Sequence, residues 1–219
     1  MSGPPVEVSP DDVHAHPRKT GHAKFDLVMA ISAIFISAVS LFVAIEHGKT
    51  ERDLVAANSW PFLRQILSNV DAGSKGQISI GLSNGGVGPA VIKSFEMSYD
   101  GVAVSSPLDL LQRCCQLSTE TDAIKRQMPA GFLTSLVDDT VLRPGEENVV
   151  LQIQTATAPD ISQRLNAALL KIGFRACYCS ILDQCWESDL KSTRTTPVKE
   201  CRAPTHPYDA IAPARKARD

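Results

Sequence analysis

An uncharged apolar run near the N-terminus constrains this chain more than any other feature. The nineteen residues from Leu27 to Ile45 carry no charge, and sixteen of them are Leu, Ile, Val, Ala, Met or Phe. A helix of that length extends about 28 Å, close to the thickness of the hydrocarbon core of a bilayer. Because a helix satisfies its own backbone polar groups, it also meets the requirement that lipid imposes. The run therefore predicts a transmembrane helix over residues 25–45 and integral, single-pass attachment to a membrane.

The length of this run favours a retained anchor over a cleaved signal peptide. A signal peptide has a core of roughly 7–15 apolar residues followed by a small-residue cleavage site. Here the core is longer, and its exit, Val43-Ala44-Ile45-Glu46-His47, offers no such site. An unusual signal peptide and a buried core helix are the alternatives.

Basic residues beside the run give a weak indication of its orientation. Only Lys and Arg near the ends of the helix count in the positive-inside rule. Three lie on each side: Arg18, Lys19 and Lys24 before the run, and Lys49, Arg52 and Arg64 after it. Within about 15 residues of each end, three basic residues precede the run and two follow it, which slightly favours a cytoplasmic N-terminus.

The cysteines give a second indication, because all six lie beyond the run. They are Cys114, Cys115, Cys177, Cys179, Cys185 and Cys201. Disulfides persist outside the cytosol and are rare within it, so an even set on one side of the anchor favours an oxidising compartment there. The plainer alternative is that some of them are simply small buried side chains. Charge and cysteines together predict a C-terminal domain outside the cytoplasm.

Composition divides the rest of the chain into segments. Residues 1–24 carry four prolines and three histidines but few large apolar side chains, so they should be disordered. Residues 46–58 keep a pattern compatible with a helix and predict a polar stalk, which Trp60-Pro61 ends. Residues 59–196 form the predicted folded domain. The Pro- and charge-rich residues 197–219 predict a disordered tail.

Within the domain the hydrophobic period is two-fold rather than helical. Alternation predicts strands over 77–83, 89–99, 102–104, 132–137, 149–153, 174–182 and 185–190. Hairpin turns are expected at Asn84–Gly88, at Asp100-Gly101 and at Asp183-Gln184, and another turn at 143–146. Pro159–Leu170 predicts an amphipathic helix, and residues 107–113 a short helical turn. The fold class predicted is mainly β, an immunoglobulin-like β-sandwich with one amphipathic helix.

Residues that would support catalysis are sparse in the predicted domain. None of the five histidines lies between residues 60 and 196. A Ser-His-Asp or Cys-His site would need one there, as would most catalytic zinc sites. The adjacent carboxylates Asp138-Asp139 and Glu146-Glu147 are interpreted as solvated loop charges. We therefore predict no catalytic residue, no cofactor and no metal site.

Two binding functions are also disfavoured. The glycine-rich stretch Gly81–Pro89 lacks the Gly-Lys-Ser/Thr ending of a phosphate loop, and strands flank it on both sides. The domain is not basic enough to indicate nucleic acid as a partner.

The cysteine spacing supports several hypotheses. Cys177 and Cys179 point to the same face of a strand, and Cys185 returns on the next one. A cross-hairpin disulfide from Cys179 to Cys185 is sterically reasonable and leaves Cys177 to pair with one of the other three cysteines. Structural disulfides are favoured. The alternatives are a metal site from C-x-C-x5-C, a redox-active pair at Cys177/Cys179 or Cys114/Cys115, and unpaired buried thiols.

Small residues recur along one side of the apolar run. They are separated by steps of three and four, which places them on one seam of a helix: Ala30, Ala33, Ser37, Ser40 and Ala44. Because small residues let two helices approach closely, the seam predicts a homodimer or a protein partner within the membrane. Chance is the alternative, since seven of the nineteen residues are Ala or Ser.

Several segments together carry a resemblance to known sequences. The anchor followed by AANSWPFL, LSNGGVGPAVI and CYCSILDQCW resembles a set of uncharacterised bacterial single-pass membrane proteins. The resemblance extends from about residue 27 to 190, and the GVGPA and CYCS…CW segments are its most specific parts. It implies a bacterial inner-membrane protein with a periplasmic domain, but no catalytic or binding residue.

The function predicted from these observations is a membrane-anchored extracytoplasmic binding or scaffolding module. One alternative is a thiol-disulfide redox protein or sensor. Another is an accessory subunit of an inner-membrane complex, with the helix as its interaction surface.

Overall fold

The computed structural model describes residues 23–69, 76–118 and 132–212. The segment predicted to be disordered, 1–24, lies outside these ranges except for its last two residues. The chain divides into two compact units between Arg52 and Asp53, and each unit is described by itself.

One helix covers both the apolar run and the predicted stalk. This helix, α1 (Ala23–Asn58), has 36 residues, which corresponds to a length of about 54 Å. It is long and apolar enough to cross a membrane, and no part of its most apolar window is buried. Beyond the apolar run Lys49 donates to Glu46 at 2.7 Å, a pair spaced to stabilise an exposed helix.

The remainder of the described chain is mainly β. Its helices are α2 (Pro107–Cys115) and α3 (Pro159–Ala168), the latter followed by a 3-10 turn at Leu169–Lys171. Its strands are β1 (Leu63–Ser68), β2 (Gln77–Asn84), β3 (Ala90–Tyr99), β4 (Val102–Val104), β5 (Leu133–Thr134), β6 (Val141–Leu142), β7 (Glu147–Gln154), β8 (Ile172–Cys179), β9 (Cys185–Ser188) and β10 (Thr196–Val198).

These strands form two antiparallel sheets. The four-stranded sheet has the order β1-β2-β7-β5, and the six-stranded sheet has the order β10-β9-β8-β3-β4 with β6 also beside β3. One hydrophobic core draws on both, including Ile80 of β2, Phe95 of β3 and Tyr178 of β8, none of them exposed. The predictions of a mainly β fold and of an apolar helix near the N-terminus are therefore confirmed.

The turn after β2 carries the chain from one sheet to the other. We expected a hairpin at Asn84–Gly88, but β2 pairs with β1 and β7, whereas β3 pairs with β4, β6 and β8. The hairpin prediction was wrong because alternation and turn residues do not reveal which sheet a strand joins.

Asn84 holds this crossover together. Its side chain is fully buried and uses all of its hydrogen-bonding positions. The Oδ1 atom accepts from the N–H groups of Phe62 at 3.2 Å and Gly86 at 3.0 Å. The Nδ2 atom donates to the carbonyls of Gly88 at 2.8 Å and Leu142 at 3.0 Å. These four hydrogen bonds fix the LSNGG segment where the chain passes from one sheet to the other.

The chain after β10 packs on the domain. We call residues 199–212 the C-terminal strap. The strap is tied by a disulfide between Cys201 and Cys177 and by a hydrogen bond of 2.8 Å from the His206 N–H to Glu96 Oε1. This corrects the disordered tail predicted over 197–219, as far as residue 212. The remaining residues, 213–219, lie outside the described ranges.

Tyr208 anchors the far end of the strap in the core. It is 7% exposed, and its ring lies edge-on to Phe95 with 5.2 Å between the centroids. Its hydroxyl is 3.2 Å from the carbonyl of Ser135 and donates to it. The next residue, Asp209, donates its N–H to the carbonyl of Ser105 at 2.8 Å. A segment rich in Pro and charge is thus fixed by one aromatic side chain, one disulfide and the hydrogen bonds of two backbone N–H groups.

Candidate functional site at the paired cysteines

All six cysteines are paired, in the disulfides Cys114–Cys115, Cys177–Cys201 and Cys179–Cys185. The bond between Cys179 and Cys185 spans the β8–β9 hairpin, as the strand spacing favoured. For Cys177 the sequence left three partners open, and the structure joins it to Cys201. No cysteine has the unpaired, buried thiol that one alternative required.

Four of these cysteines form one compact group, here called the four-cysteine cluster: Cys177, Cys179, Cys185 and Cys201. The first two lie two residues apart on the same face of β8, and Cys185 is opposite Cys179 on β9. The strap brings Cys201 onto this face, where its sulfur lies 3.8 Å from that of Cys179. Two disulfides therefore lie in contact at one corner of the six-stranded sheet.

The loop between β8 and β9 fixes the hairpin that carries this cluster. The Ser180 N–H donates to the carbonyl of Gln184 at 2.8 Å. The Ser180 hydroxyl accepts from the N–H groups of Leu182 at 3.2 Å and Gln184 at 3.3 Å. Asp183 takes a left-handed conformation with φ of 57°, which Asp tolerates better than most residues. The sequence CYCSILDQC thus encodes both the turn and the sulfur positions beside it.

Cys114 and Cys115 are the last two residues of α2. The helix begins at Ser106, whose hydroxyl accepts from the Asp109 N–H at 3.1 Å, and it ends at Gln116 in a left-handed conformation. Cys115 is 1% exposed. Arg164 of α3 donates to the Cys115 carbonyl at 3.0 Å, which places a cation at the end of the helix that favours it.

This geometry bears on the predicted redox pairs. Cys177 and Cys179 are each bonded to another cysteine, so they do not form a redox couple with one another. Cys114 and Cys115 are bonded to each other, but a thiolate is stabilised near the N-terminus of a helix and these lie at the C-terminus. Cys114 and Cys115 therefore lack the stabilisation that a helix N-terminus gives a thiolate, and the cation near this pair is Arg164, at the Cys115 carbonyl.

Two clefts border the disulfides. One, of about 300 Å³, lies between the strap and the six-stranded sheet, where Glu96, Arg175, Glu187 and Arg202 line it beside Cys177. The other, of about 350 Å³, lies at Cys115 and the start of α3 and contains Asp160 and Arg164. Both present charges of either sign, which suits polar contacts rather than burial of an apolar ligand.

Asp138 is less solvated than its place in a turn predicted. We interpreted it as a solvated loop charge, but its Oδ1 atom is buried and has no hydrogen-bond partner among the described residues. Burial raises the pKa of this carboxyl to about 6, and the negative charge of Asp139 acts in the same direction. Nearby, burial also raises the pKa of the Tyr208 hydroxyl, with a further contribution from Asp138. Hydrophobic alternation indicates which strand residues are buried, but it does not show that a turn buries a carboxylate.

We expect Asp138→Asn to stabilise the protein at pH 7 and to have little effect at pH 4. Because the pKa of Asp138 is higher in the folded chain than in the unfolded one, its ionisation opposes folding. This cost is fully present above pH 6 and disappears as the pH falls towards the unfolded pKa of about 4. Allowing for partial exposure, the gain at pH 7 should be about 1 kcal/mol in urea unfolding.

The exposed neighbour provides the control for this prediction. Asp139→Asn should give a smaller gain, because Asp139 contributes only part of the shift at Asp138. A stability difference for Asp138→Asn that does not change between pH 4 and pH 7 would show that folding does not raise the pKa of this carboxyl.

The predicted seam lies on α1. Ala30, Ala33, Ser37, Ser40 and Ala44 are all exposed side chains of this helix. Ser37 donates its hydroxyl to the Ala33 carbonyl at 2.8 Å, one turn earlier. Its proton is therefore used within the helix, and Ser37 can serve a second helix as an acceptor.

Comparison with models of protein families, with curated proteins and with solved structures finds no match to this chain. Its function is therefore argued from its own residues.

Proposed function

We propose that this chain is a single-pass protein of the bacterial inner membrane that presents a binding or scaffolding domain to the periplasm. The observation that carries the proposal is the position of the cysteines: all six lie beyond α1, and all six are paired. Disulfides persist in oxidising compartments, and the periplasm is one of them. The unburied apolar stretch of α1 supports the membrane attachment.

We further propose an immunoglobulin-like β-sandwich for the domain. Two antiparallel sheets that share one hydrophobic core support this architecture. Domains of this kind serve many unrelated functions, so the architecture fits a binding module but does not specify its ligand.

A binding function fits the described site better than thiol-disulfide chemistry. The four-cysteine cluster ties the strap to the sheet. The Cys114–Cys115 pair lies at the C-terminus of α2, where the helix dipole disfavours a thiolate. The charged cleft between strap and sheet offers Arg175 and Arg202 together with Glu96 and Glu187. Such a surface suits a polar segment of a partner protein or an envelope component.

Reporter fusions test the orientation. Alkaline phosphatase fused after Asp219 should be active, because that enzyme needs disulfides that form only outside the cytoplasm. Green fluorescent protein fused at the same position, with export through the general secretion route, should stay dark. Matched fusions before Ala23, at the N-terminal side of α1, should give the opposite pattern.

An inactive phosphatase fusion together with a fluorescent green fluorescent protein fusion at Asp219 would overturn this orientation. A C-terminal domain in the cytoplasm would also keep its cysteines reduced, so the argument from disulfides would fail with it.

We also propose that α1 associates through its small seam, either with a second copy or with a helix of an inner-membrane complex. Exposure of the whole seam supports this proposal. Inter-helix hydrogen bonds in membranes contribute roughly 0.6 kcal/mol each, so close packing must supply most of the attraction. Bulky Ile in place of Ala33 or Ser37 should therefore separate the helices.

A bacterial two-hybrid assay on residues 23–58 measures this association. Ala33→Ile and Ser37→Ile should abolish the signal, because a large side chain prevents close approach of the backbones. Ile31→Leu, which changes shape but not volume away from the seam, serves as the control and should leave the signal unchanged. Equal signals from all of these variants would show that the seam is accidental.

A further inference from the structure

We propose that the four-cysteine cluster is a Zn²⁺ site when its two disulfides are reduced. The proposal goes beyond the binding or scaffolding role and does not depend on it. It is based on the placement of four sulfur atoms from three separate segments: two from β8, one from β9 and one from the strap.

Three of the four sulfurs lie close enough together to bind one metal ion. The Sγ atoms of Cys179, Cys185 and Cys201 all lie within 4.8 Å of one another. Cys177 lies outside this group of three and is bonded to Cys201, so it would supply the fourth sulfur once that bond opens. A tetrahedral Zn²⁺ ion with Zn–S bonds of about 2.3 Å separates its ligand sulfurs by about 3.8 Å. The sulfurs of Cys179 and Cys201, which are not bonded to one another, are 3.8 Å apart.

The surrounding fold keeps the ligands together after reduction. The hairpin that carries Cys177, Cys179 and Cys185 is closed by the backbone pairing of β8 with β9 and by the Ser180 loop. The strap that carries Cys201 is held independently by the His206–Glu96 hydrogen bond and by buried Tyr208. Opening the disulfides therefore leaves four thiols on a preformed frame.

Burial favours a metal over solvated thiols at this place. The exposed fractions of Cys177, Cys179 and Cys185 are 3%, 4% and 8%, and Cys201 is half-buried. Structural zinc sites are closed, with four protein ligands and no open position, and thiolate ligands favour Zn²⁺ over harder cations. The second pair, Cys114 and Cys115, offers only two adjacent sulfurs and cannot complete such a set.

A dithiol reductant converts the disulfide form of the cluster into the zinc-binding form. Each of the two disulfides takes two electrons and two protons from a dithiol reductant, which itself becomes a disulfide. The four resulting thiols release four protons when they bind one Zn²⁺ ion as thiolates. Reoxidation by two disulfides of the same class, which accept the four electrons and take up four protons from solvent, restores both bonds and releases the ion. The strap is thus cross-linked to the hairpin in either redox state, by disulfides or by the metal.

Metal titration of the full chain in detergent micelles tests this site. The protein is reduced anaerobically with a phosphine, desalted and titrated with Co²⁺, which reports tetrahedral thiolate ligation through intense visible absorption. We expect one Co²⁺ per chain and its complete displacement by one equivalent of Zn²⁺. Tryptophan fluorescence reports whether the reduced domain is folded, since Trp186 packs near Tyr178 with 6.1 Å between the ring centroids.

Single-ligand variants distinguish the cluster from other thiols. Loss of even an outer partner of a metal ligand costs about 10–100-fold in affinity, so losing a ligand should cost at least about 100-fold. Cys185→Ser and Cys201→Ser should each show this loss, one on the hairpin and one on the strap. The double variant Cys114→Ser/Cys115→Ser is the matched control and should still bind one ion with unchanged affinity.

Several outcomes would overturn the proposal. One is a reduced protein that is folded by tryptophan fluorescence but develops no thiolate–Co²⁺ absorption. Another is binding that survives Cys185→Ser and Cys201→Ser, or that is lost in the Cys114→Ser/Cys115→Ser control. Binding seen only when the reduced wild type is unfolded would also overturn it, because unfolded cysteines bind metals without a preformed site.

Discussion

The Gly88→Ala variant is expected to lose about 3 kcal/mol of stability, because its new methyl group meets backbone rather than space. A Cβ at this position would lie 2.1 Å from the carbonyl oxygen of Ser59 and 2.2 Å from its carbonyl carbon. Backbone atoms cannot rotate away as a side chain can, so the crossover and the entry to β1 must separate. Urea unfolding of the full chain in micelles, followed by the fluorescence of Trp60 and Trp186, measures the loss.

A second glycine of the same turn provides the control. A Cβ at Gly85 would have its nearest neighbour, Cδ1 of Phe62, at 3.7 Å, an ordinary van der Waals contact. Gly85→Ala should therefore change the free energy of unfolding by less than about 0.5 kcal/mol. Equal effects from the two variants would mean that the turn depends on backbone freedom and not on the close approach to Ser59.

These glycines show what turn chemistry alone reveals. The residues Asn84–Gly88 predict a turn because Asn and Gly tolerate unusual backbone angles. Yet neither Gly86 nor Gly88 has a positive φ, and an added Cβ at either would lie within 2.4 Å of the chain at Ser59 or Phe62. The reason for glycine is a tertiary contact between AANSWPFL and LSNGGVGPA. Sequence spacing cannot show that two segments more than twenty residues apart are pressed together.

Strand β3 shows where a periodic pattern fails. Strict alternation along the predicted strand 89–99 would place Val91 on the same face as Phe95 and Met97. In the structure the register shifts between Ile92 and Ser94, so Ile92 is fully buried while Val91 is half-buried. A β-bulge adds one residue on one strand and exchanges the faces beyond it. Alternation holds on each side of the bulge. Pairing with the neighbouring strand decides which residues before the bulge share a face with which residues after it.

The cysteine pairs also differ in how far the sequence predicts them. The bond between Cys179 and Cys185 follows from the two-fold period and the short hairpin loop, both of which are local. The partner of Cys177 was open because Cys201 lies in a segment whose composition predicts disorder. Tyr208 fixes the strap because its aromatic side chain is buried in the core. A prediction of disorder from average composition does not detect the effect of one such residue.

The remaining prediction concerns the relative contributions of the disulfides. Replacing Cys177 and Cys201 by Ala should cost more stability than replacing Cys179 and Cys185 by Ala. The first bond closes a sequence separation of 24 residues and the second a separation of 6. Loop-closure entropy then gives a loss of about 3.5 kcal/mol for the first bond and about 2.3 kcal/mol for the second.

The strap widens this difference. Without its bond to Cys177 it depends on the His206–Glu96 contact and on Tyr208, so local opening adds to the loss. Thermal unfolding of the full chain in micelles, followed by tryptophan fluorescence, measures the difference. The melting temperature should be highest for the wild type, lower for the Cys179→Ala/Cys185→Ala variant and lowest for the Cys177→Ala/Cys201→Ala variant. The pair Cys114→Ala/Cys115→Ala is the control, because adjacent residues close almost no loop and their bond should contribute about 1 kcal/mol. If the two cluster variants melt together, the hairpin and the strap unfold as one unit, and the longer loop then has no separate effect on stability.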